Sequence, residues 1–513
     1  MLSTTYATSY TGIDAYKVTV ECSTGSGLPS LAIVGLPDTT VKESANRIRS
    51  AMKNSGLIFP QRELTVNLAP ADRRKKGSAF DLAILVAILS VENDFCGWLE
   101  KSCFIGEVSL SGKLRGTRAV LPSCIAARDE GLTRVFVPEE NAAEGAFVEG
   151  IEVYPVDSIA QLYSHLTEQK MIAPLKYDPQ AFIRMRTKCS ADYEDVRGQD
   201  KAKRALEVAV AGGHNVMLIG PPGSGKTMLA SRIPSILPEI SFEEAIECSK
   251  IYSVGGFVNN KYNMVKERPF RAPHHTITGP GMFGGGGDHI QQVTPGEVSF
   301  AHNGVLFLDE FPEFRADAIE GLREIMESGV MTIHRLGIQQ NYPASFMLVC
   351  AMNPCKCGYY GHPTRECTCK PAERKAYTAK ISGPLIDRID IQVEVSSVTY
   401  KDVTSQAKSE PSERIYERVQ RAREFARKRY NGDAAITNAT VNSALLGKHC
   451  RLNDESQEIP ELAFKNLGLS ARGYERILRV SRTIADLAGS EEIERIHVAE
   501  AVRYRSLDRK YWN

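Results

Sequence analysis

Residues Gly220 to Thr227 read GPPGSGKT, and the fold of the chain turns on this stretch. It fits G-x-x-x-x-G-K-[ST], in which glycines let successive backbone N–H groups turn inward around phosphates at a helix N-terminus. The flanks suit such a loop. Before it, Asn215-Val216-Met217-Leu218-Ile219 is an apolar run that makes a buried strand; after it, Met228-Leu229-Ala230 continues into a helix. In this motif Gly220, Pro221, Pro222, Gly223, Ser224 and Gly225 form the cradle, Lys226 reaches the β/γ-phosphates, and the Thr227 hydroxyl ligates Mg²⁺. A Gly-Pro turn between strand and helix is the plain alternative. The stretch predicts binding of ATP or GTP.

A second signal lies about eighty residues on, where Val305-Leu306-Phe307-Leu308 runs into Asp309-Glu310. Four apolar residues ending in two carboxylates predict a buried parallel strand that delivers acids to the C-terminal edge of a sheet, where ligands of open α/β sheets bind. There Asp309 holds Mg²⁺, directly or through water, and Glu310 orients and activates the attacking water.

The rest of the chain is consistent with an ordinary globular protein of roughly three domains. Its 513 residues are 42% hydrophobic and 24% charged with a net charge of +1, so any nucleic-acid binding must come from local basic patches. The opening Met1-Leu2-Ser3-Thr4 lacks a signal pattern and no apolar run approaches a membrane span. Twelve cysteines without the size of a secreted scaffold predict a reducing cytoplasm. The pattern divides the chain into an α/β domain at 1–165, a linker at 166–194, a phosphate-loop core at 195–395 and a helical region at 396–513.

The N-terminal segments IVGLPDTTVKES, TVNLAPADRRKKGSAFDLAI, GEVSLSGKLRG and VFVPEENAAE resemble the N-terminal domain of the magnesium-chelatase-like AAA+ ATPases, itself similar to the proteolytic domain of Lon. Lon-type peptidases use a Ser–Lys dyad. Ser78 falls near the nucleophile position, but Ser123 stands where the lysine belongs and Lys113 lies in the preceding turn, so a retained scaffold is the expectation. Further on, DVRGQDKAKRALEVAVAGGHN (195–215) resembles the AAA+ segment that lines the adenine pocket, implicating Val196, Gly198 and Gln199.

Two insertions resemble the helix-2 insert and the pre-sensor-1 hairpin of the branch that includes magnesium chelatase and the MCM replicative helicases. The first is RPFRAPHHTITGPGMFGGGG (268–287), whose six glycines between 279 and 287 predict a mobile loop that forms no packed element; the second is a hairpin from Val330 to Cys350 around Leu336-Gly337. In those helicases such loops line a ring's pore and grip DNA. By that likeness Arg268, Arg271, His334 and Arg335 are candidate phosphate contacts, with solvated surface loops as the alternative. The adjacent His274 and His275 diverge on a strand or turn and make a poor metal pair.

After the strand Phe346 to Val349, Asn353 occupies the position that helps place the lytic water (sensor 1) in this family. CKCGYYGHPTRECTC follows. Its Cys355, Cys357, Cys367 and Cys369 can supply a tetrahedral structural Zn²⁺ site with no open position; reduced surface thiols are the alternative. The run ISGPLIDRIDI (381–391) resembles a signature of the ComM/YifB group of this family, and Arg388 within it is the candidate arginine finger; a local pair with Asp387 or Asp390 is the other reading. The helix Glu413 to Tyr430 carries seven Arg or Lys against three glutamates, either a nucleic-acid face or a solvated one. The amphipathic stretch Leu469 to Gly489 resembles the helical lid of an AAA+ module, placing Arg472 as sensor 2, in its own subunit or the next.

The resemblance covers nearly the whole chain. It implies an α/β fold with a Lon-like N-terminal domain, an AAA+ core and a C-terminal lid, a homo-oligomeric ring expected to be a hexamer, and an ATP- and Mg²⁺-dependent DNA motor serving recombination in natural transformation. A chelatase motor acting on a protein partner is the alternative, although the D-x-S-x-S motif of such partners does not occur here.

Overall fold

The computed structural model describes residues 2–95, 97–175, 191–258, 264–286, 293–335, 338–397, 409–432, 436–467 and 470–512. The N-terminal part is built on a seven-stranded mixed sheet in the order Ser30–Val34, Glu63–Ala69, Asp14–Gly25, Leu2–Thr11, Ser102–Phe104, Arg134–Pro138, Glu152–Val156. Alternation in Glu63–Ala69 puts Leu64, Val66 and Leu68 into the core with Val18, Val20 and Cys22. The helix Asp81–Leu89 is apolar all round and buried throughout. Its one charge, Asp81, accepts two hydrogen bonds at 2.9 Å from the Arg47 guanidinium.

Ser78 donates to the Glu107 carboxylate, and Ser123 is buried within the helix Val120–Asp129. A carboxylate thus stands beside Ser78, and a hydroxyl takes the place where a Lon-type dyad has its lysine.

The second sheet has five strands, all parallel, in the order Phe270–Arg271, Val305–Leu308, Met347–Met352, Val216–Ile219, Ile391–Glu394. Its central strands are buried on both faces, which is why they read as unbroken apolar runs. One face packs on the helices Asp200–Gly212, Ser412–Arg429 and Ala471–Ala488, the other on Ala316–Ser328, Gly383–Ile386 and the C-terminal residues Leu507 and Tyr511. Tyr193, assigned by pattern to the linker, is fully buried in the first of these cores, and its hydroxyl donates to the Leu229 carbonyl at 2.9 Å. Residues 176–190 of that linker lie outside the described residues.

The glycine-rich insertion differs from the expected loop without packed elements. Gly279–Phe283 is a short helix that buries Met282, and Gly284–Gly286 pairs antiparallel with Val293–Pro295. Glycine is what permits it: a Cβ on Gly296 would lie 2.2 Å from the Gly284 nitrogen, and Gly284 itself has φ +93°. The pre-sensor hairpin pairs Val330–Arg335 with Ile338–Pro343; its turn, Leu336-Gly337, is outside the described residues. The Tyr342 hydroxyl donates to the Val293 carbonyl at 2.7 Å, joining the two insertions. Both rest on the N-terminal domain through a small core of Ala119, Val254, Ile333 and Tyr342. Beside it the Ala119 amide donates to the Ser253 carbonyl and the Ser253 hydroxyl to buried Glu144.

Candidate nucleotide site

Parallel strands place everything that follows them at one edge, and the site is assembled there. Gly220–Lys226 leaves the end of Val216–Ile219, with Gly223 and Gly225 at φ +74° and +90°, so the loop turns where an L side chain is strained. The helix Lys226–Ala230 begins at its end. The Lys226 ammonium donates to the carbonyls of Gly220 (2.8 Å) and Pro221 (2.9 Å) and to Asn353 Oδ1 (3.1 Å). Burial draws its acid constant below the usual lysine range, against the opposing pull of Asp309 and Glu310.

The Thr227 hydroxyl donates to Asp309 Oδ2 at 2.5 Å. A hydroxyl and a carboxylate oxygen in contact form a hard-oxygen donor pair that suits Mg²⁺. Asp309 also accepts from the Glu310 amide at 2.8 Å, which helps hold Glu310 at φ +51° with its carboxylate exposed. The structure therefore brings two hydrogen-bonded pairs to one sheet edge, Lys226 with Asn353 and Thr227 with Asp309, with Glu310 beside the second. Gln199 bridges the Ser224 carbonyl (3.4 Å) and the Ser396 carbonyl (2.7 Å), and the Lys203 ammonium holds the Val196 carbonyl at 2.5 Å. A cleft of about 1150 Å³ opens next to Gly220 and Pro221, walled by Asp200, Tyr360, Val393 and Arg503.

One contact escaped the sequence reading: His275 Nδ1 lies 3.1 Å from Glu310 Oε2. The signal was present in the register. Arg271 pairs with Leu306, and four residues beyond each come His275 and Glu310.

Two arginines expected to meet DNA are engaged inside the chain. Arg268 donates to the carbonyls of Pro238 (2.9 Å), Asn303 (2.8 Å) and Glu239 (3.1 Å) and to Glu244 at 2.7 Å. Arg271 forms a two-pronged bond with Glu297 at 2.6 and 2.7 Å over the Phe300 ring. Guanidinium groups so occupied hold the insertion to the core and are not free for phosphates. His334 is exposed on the hairpin, while the Arg335 side chain is outside the described residues. The basic helix, Ser412–Arg429 in the structure, also turns charge inward: Arg418 binds Glu207 and Glu410, and Arg429 binds Asp486.

Arg388 and Arg472 are not at this site. Arg388 precedes the strand Ile391–Glu394, and its carbonyl accepts from the Asn215 side chain at 3.0 Å. It thus sits at the N-terminal edge of the sheet, opposite the phosphate loop. Four residues of strand separate the edges by about 13 Å, beyond the reach of one arginine side chain. Its guanidinium donates to the Pro384 carbonyl (2.8 Å) and to Glu327, a partner other than the expected Asp387 or Asp390. Exposed Arg472 acts on the same Glu327, whose carboxyl is held below its usual range by Arg388 first and Arg472 after it.

The thiols of Cys355, Cys357, Cys367 and Cys369 lie within 4.8 Å of one another on the loop that follows Asn353. No helix among the described residues is long and apolar enough to cross a membrane.

With this geometry in view, comparison with known proteins is direct. The family model "Magnesium chelatase, subunit ChlI" matches residues 192–403, "Subunit ChlI of Mg-chelatase" matches 20–141, and the corresponding C-terminal model matches 409–505. Competence protein ComM of Haemophilus influenzae is 39% identical over 99% of this chain and 98% of its own length. YifB of Escherichia coli K12 is likewise 39% identical, over 99% and 98%. The magnesium-chelatase 67 kDa subunit of Chlorobaculum parvum is 28% identical over 32% of this chain and 23% of its own. The fold and site define a magnesium-chelatase-like AAA+ protein, a class that implies ATPase activity with ATP and Mg²⁺. Within that class, the chain belongs to the ComM/YifB family.

Proposed function

We propose that the chain is the subunit of a ring-forming, ATP-driven DNA motor that unwinds or migrates branched DNA during recombination in natural transformation. The observation that carries the motor reading is the split of the catalytic groups between two edges of one sheet. Lys226, Thr227, Asp309, Glu310 and Asn353 stand at one edge; Arg388 and Arg472 stand at the other, paired with or close to Glu327. In a head-to-tail ring the second edge of one copy meets the first edge of the next. There Arg388 exchanges Glu327 for the γ-phosphate as arginine finger, and Arg472 acts in trans as well.

ATP and Mg²⁺ supply the phosphoryl group and the counter-charge. Lys226 binds and orients the phosphates, Thr227 and Asp309 hold the metal, Asn353 fixes Lys226 and the water, and Glu310 takes up the water's proton. Residues 1–165, 195–395 and 396–513 act in this scheme as platform, motor and lid, and six copies close the ring. The DNA assignment draws on likeness to a competence protein over the whole chain and on a hairpin that presents His334 outward. The magnesium-chelatase 67 kDa subunit matches only 166 residues, at 28% identity, against 39% over 99% of the chain for the competence protein, which favours the DNA reading over a porphyrin-pathway motor.

The test is ATP hydrolysis with and without single-stranded and forked DNA. Stimulation by forked DNA is expected; turnover indifferent to DNA contradicts the proposal and favours a protein-remodelling motor.

A further inference from the structure

The cysteine quartet is arranged as a metal cage, and the loop it closes is seated on the phosphate loop. We propose that Cys355, Cys357, Cys367 and Cys369 hold a structural Zn²⁺ whose presence fixes the phosphate loop in its nucleotide-binding shape. The metal half of this proposal stands on the thiols alone; the coupling half rests on the nucleotide reading above.

The sulfur geometry is that of a cage. Sγ–Sγ separations are 3.3 Å for Cys355–Cys357, 3.7 Å for Cys355–Cys367 and 3.6 Å for Cys357–Cys367. A tetrahedron with Zn–S bonds of about 2.3 Å has edges of about 3.8 Å. A disulfide needs about 2.05 Å, and all four cysteines are free.

A backbone donor also reaches the cluster. The Cys357 amide donates to Cys369 Sγ at 3.3 Å. Such an N–H donor orients the sulfur it bonds. Four protein ligands leave no open position, so the ion is structural, and soft sulfur donors in this geometry select Zn²⁺ over Mg²⁺. Residues 354–370 contain no helix or strand that could hold their shape otherwise.

The coupling is a matter of contact. Gly358 has φ +85°, and a Cβ there would lie 2.5 Å from Pro222 Cδ and 2.7 Å from Cγ, so the loop backbone rests directly on the proline ring of the phosphate loop. At the other end, Cys355 is buried two residues after Asn353, the acceptor for Lys226, and the Gly220 amide donates to the Met352 carbonyl at 3.2 Å. Tyr360 is braced by the Arg374 guanidinium, 4.5 Å from its ring centre, and by Tyr511. The caged loop is therefore a wedge between the phosphate loop and the C-terminal helices. Without the ion nothing sets the four sulfurs, and the support beneath Pro222 and Asn353 is lost.

The experiment uses the full chain. Metal analysis of the protein as purified is expected to give one zinc per chain; markedly sub-stoichiometric zinc, or iron with a visible absorption band, overturns the metal assignment. Zinc is then displaced with an organomercurial, the thiols are regenerated, chelator is removed, and binding of a fluorescent ATP analogue with Mg²⁺ is titrated. Affinity is expected to fall by about tenfold and to return on adding Zn²⁺. Unchanged affinity in the zinc-free chain, with far-UV circular dichroism intact, overturns the coupling. Gly358→Val provides a second variant: it is expected to keep its zinc yet bind the analogue more weakly, and wild-type affinity in it counts against the wedge. If the zinc-loaded wild type does not bind the analogue at all, the nucleotide reading fails and the coupling with it, while the metal content still decides the first half.

Discussion

Lys226 spends its three donors on two loop carbonyls and Asn353, so its removal leaves an empty cradle as well as a missing charge. Lys226→Ala is expected to abolish nucleotide binding measured by calorimetry. Glu310→Gln keeps the cradle and is expected to bind ATP while hydrolysis falls by about a hundredfold or more. His275→Ala removes the neighbour that positions Glu310 and should lower kcat with little change in nucleotide affinity; unchanged kcat would show the contact to be incidental. Asp390 yields a pH prediction. Burial alone would raise its acid constant, but Arg476 and His214 outweigh burial and hold it well below the usual carboxylate range. A carboxyl depressed on folding stabilises the fold above its unfolded value of about 3.9 and loses that contribution as pH falls through and below it. Asp390→Asn should therefore melt lower than wild type at pH 7, with the gap narrowing towards pH 3; a constant gap contradicts the assignment. The phosphate loop and acid pair were legible at this scale because backbone chemistry dictates their spacing. His275 was not, because its role depends on a register between strands 35 residues apart in sequence, in which Phe270 faces Val305 and Arg271 faces Leu306.

Among the elements, buried strands announced themselves as apolar runs, and the helix Ala471–Ala488 by its spacing between a Ser470 cap and Gly489. The glycine run misled because glycine has two uses. Conformational freedom suggests a loop, whereas here the missing side chains let two backbones touch at Gly284 and Gly296. Gly296→Val is expected to lower stability by about 1–3 kcal/mol through overpacking, seen as a reduced Tm. Charge misled in the same way: a count of arginines cannot reveal partners such as Glu244, Glu297 or Asp486, distant in sequence. The hairpin retains a candidate DNA contact in His334, and His334→Ala is expected to raise the DNA concentration needed to stimulate turnover.

At the scale of the whole molecule, the phosphate loop with its acid pair and the proposed finger Arg388 lie at opposite edges of one sheet. That separation follows from a parallel topology and was invisible in the order of the motifs, which run Lys226, Glu310, Asn353, Arg388, Arg472 along one chain. Under the proposed function, it makes assembly a condition of catalysis. The direct measurement is the rate of ATP hydrolysis per chain across a dilution series, with particle mass determined at each concentration and with Arg388→Ala in parallel. The account predicts a rate per chain that rises with assembly and stays near zero in the variant even when it assembles. A full rate from monomers, equal in wild type and Arg388→Ala, would contradict it.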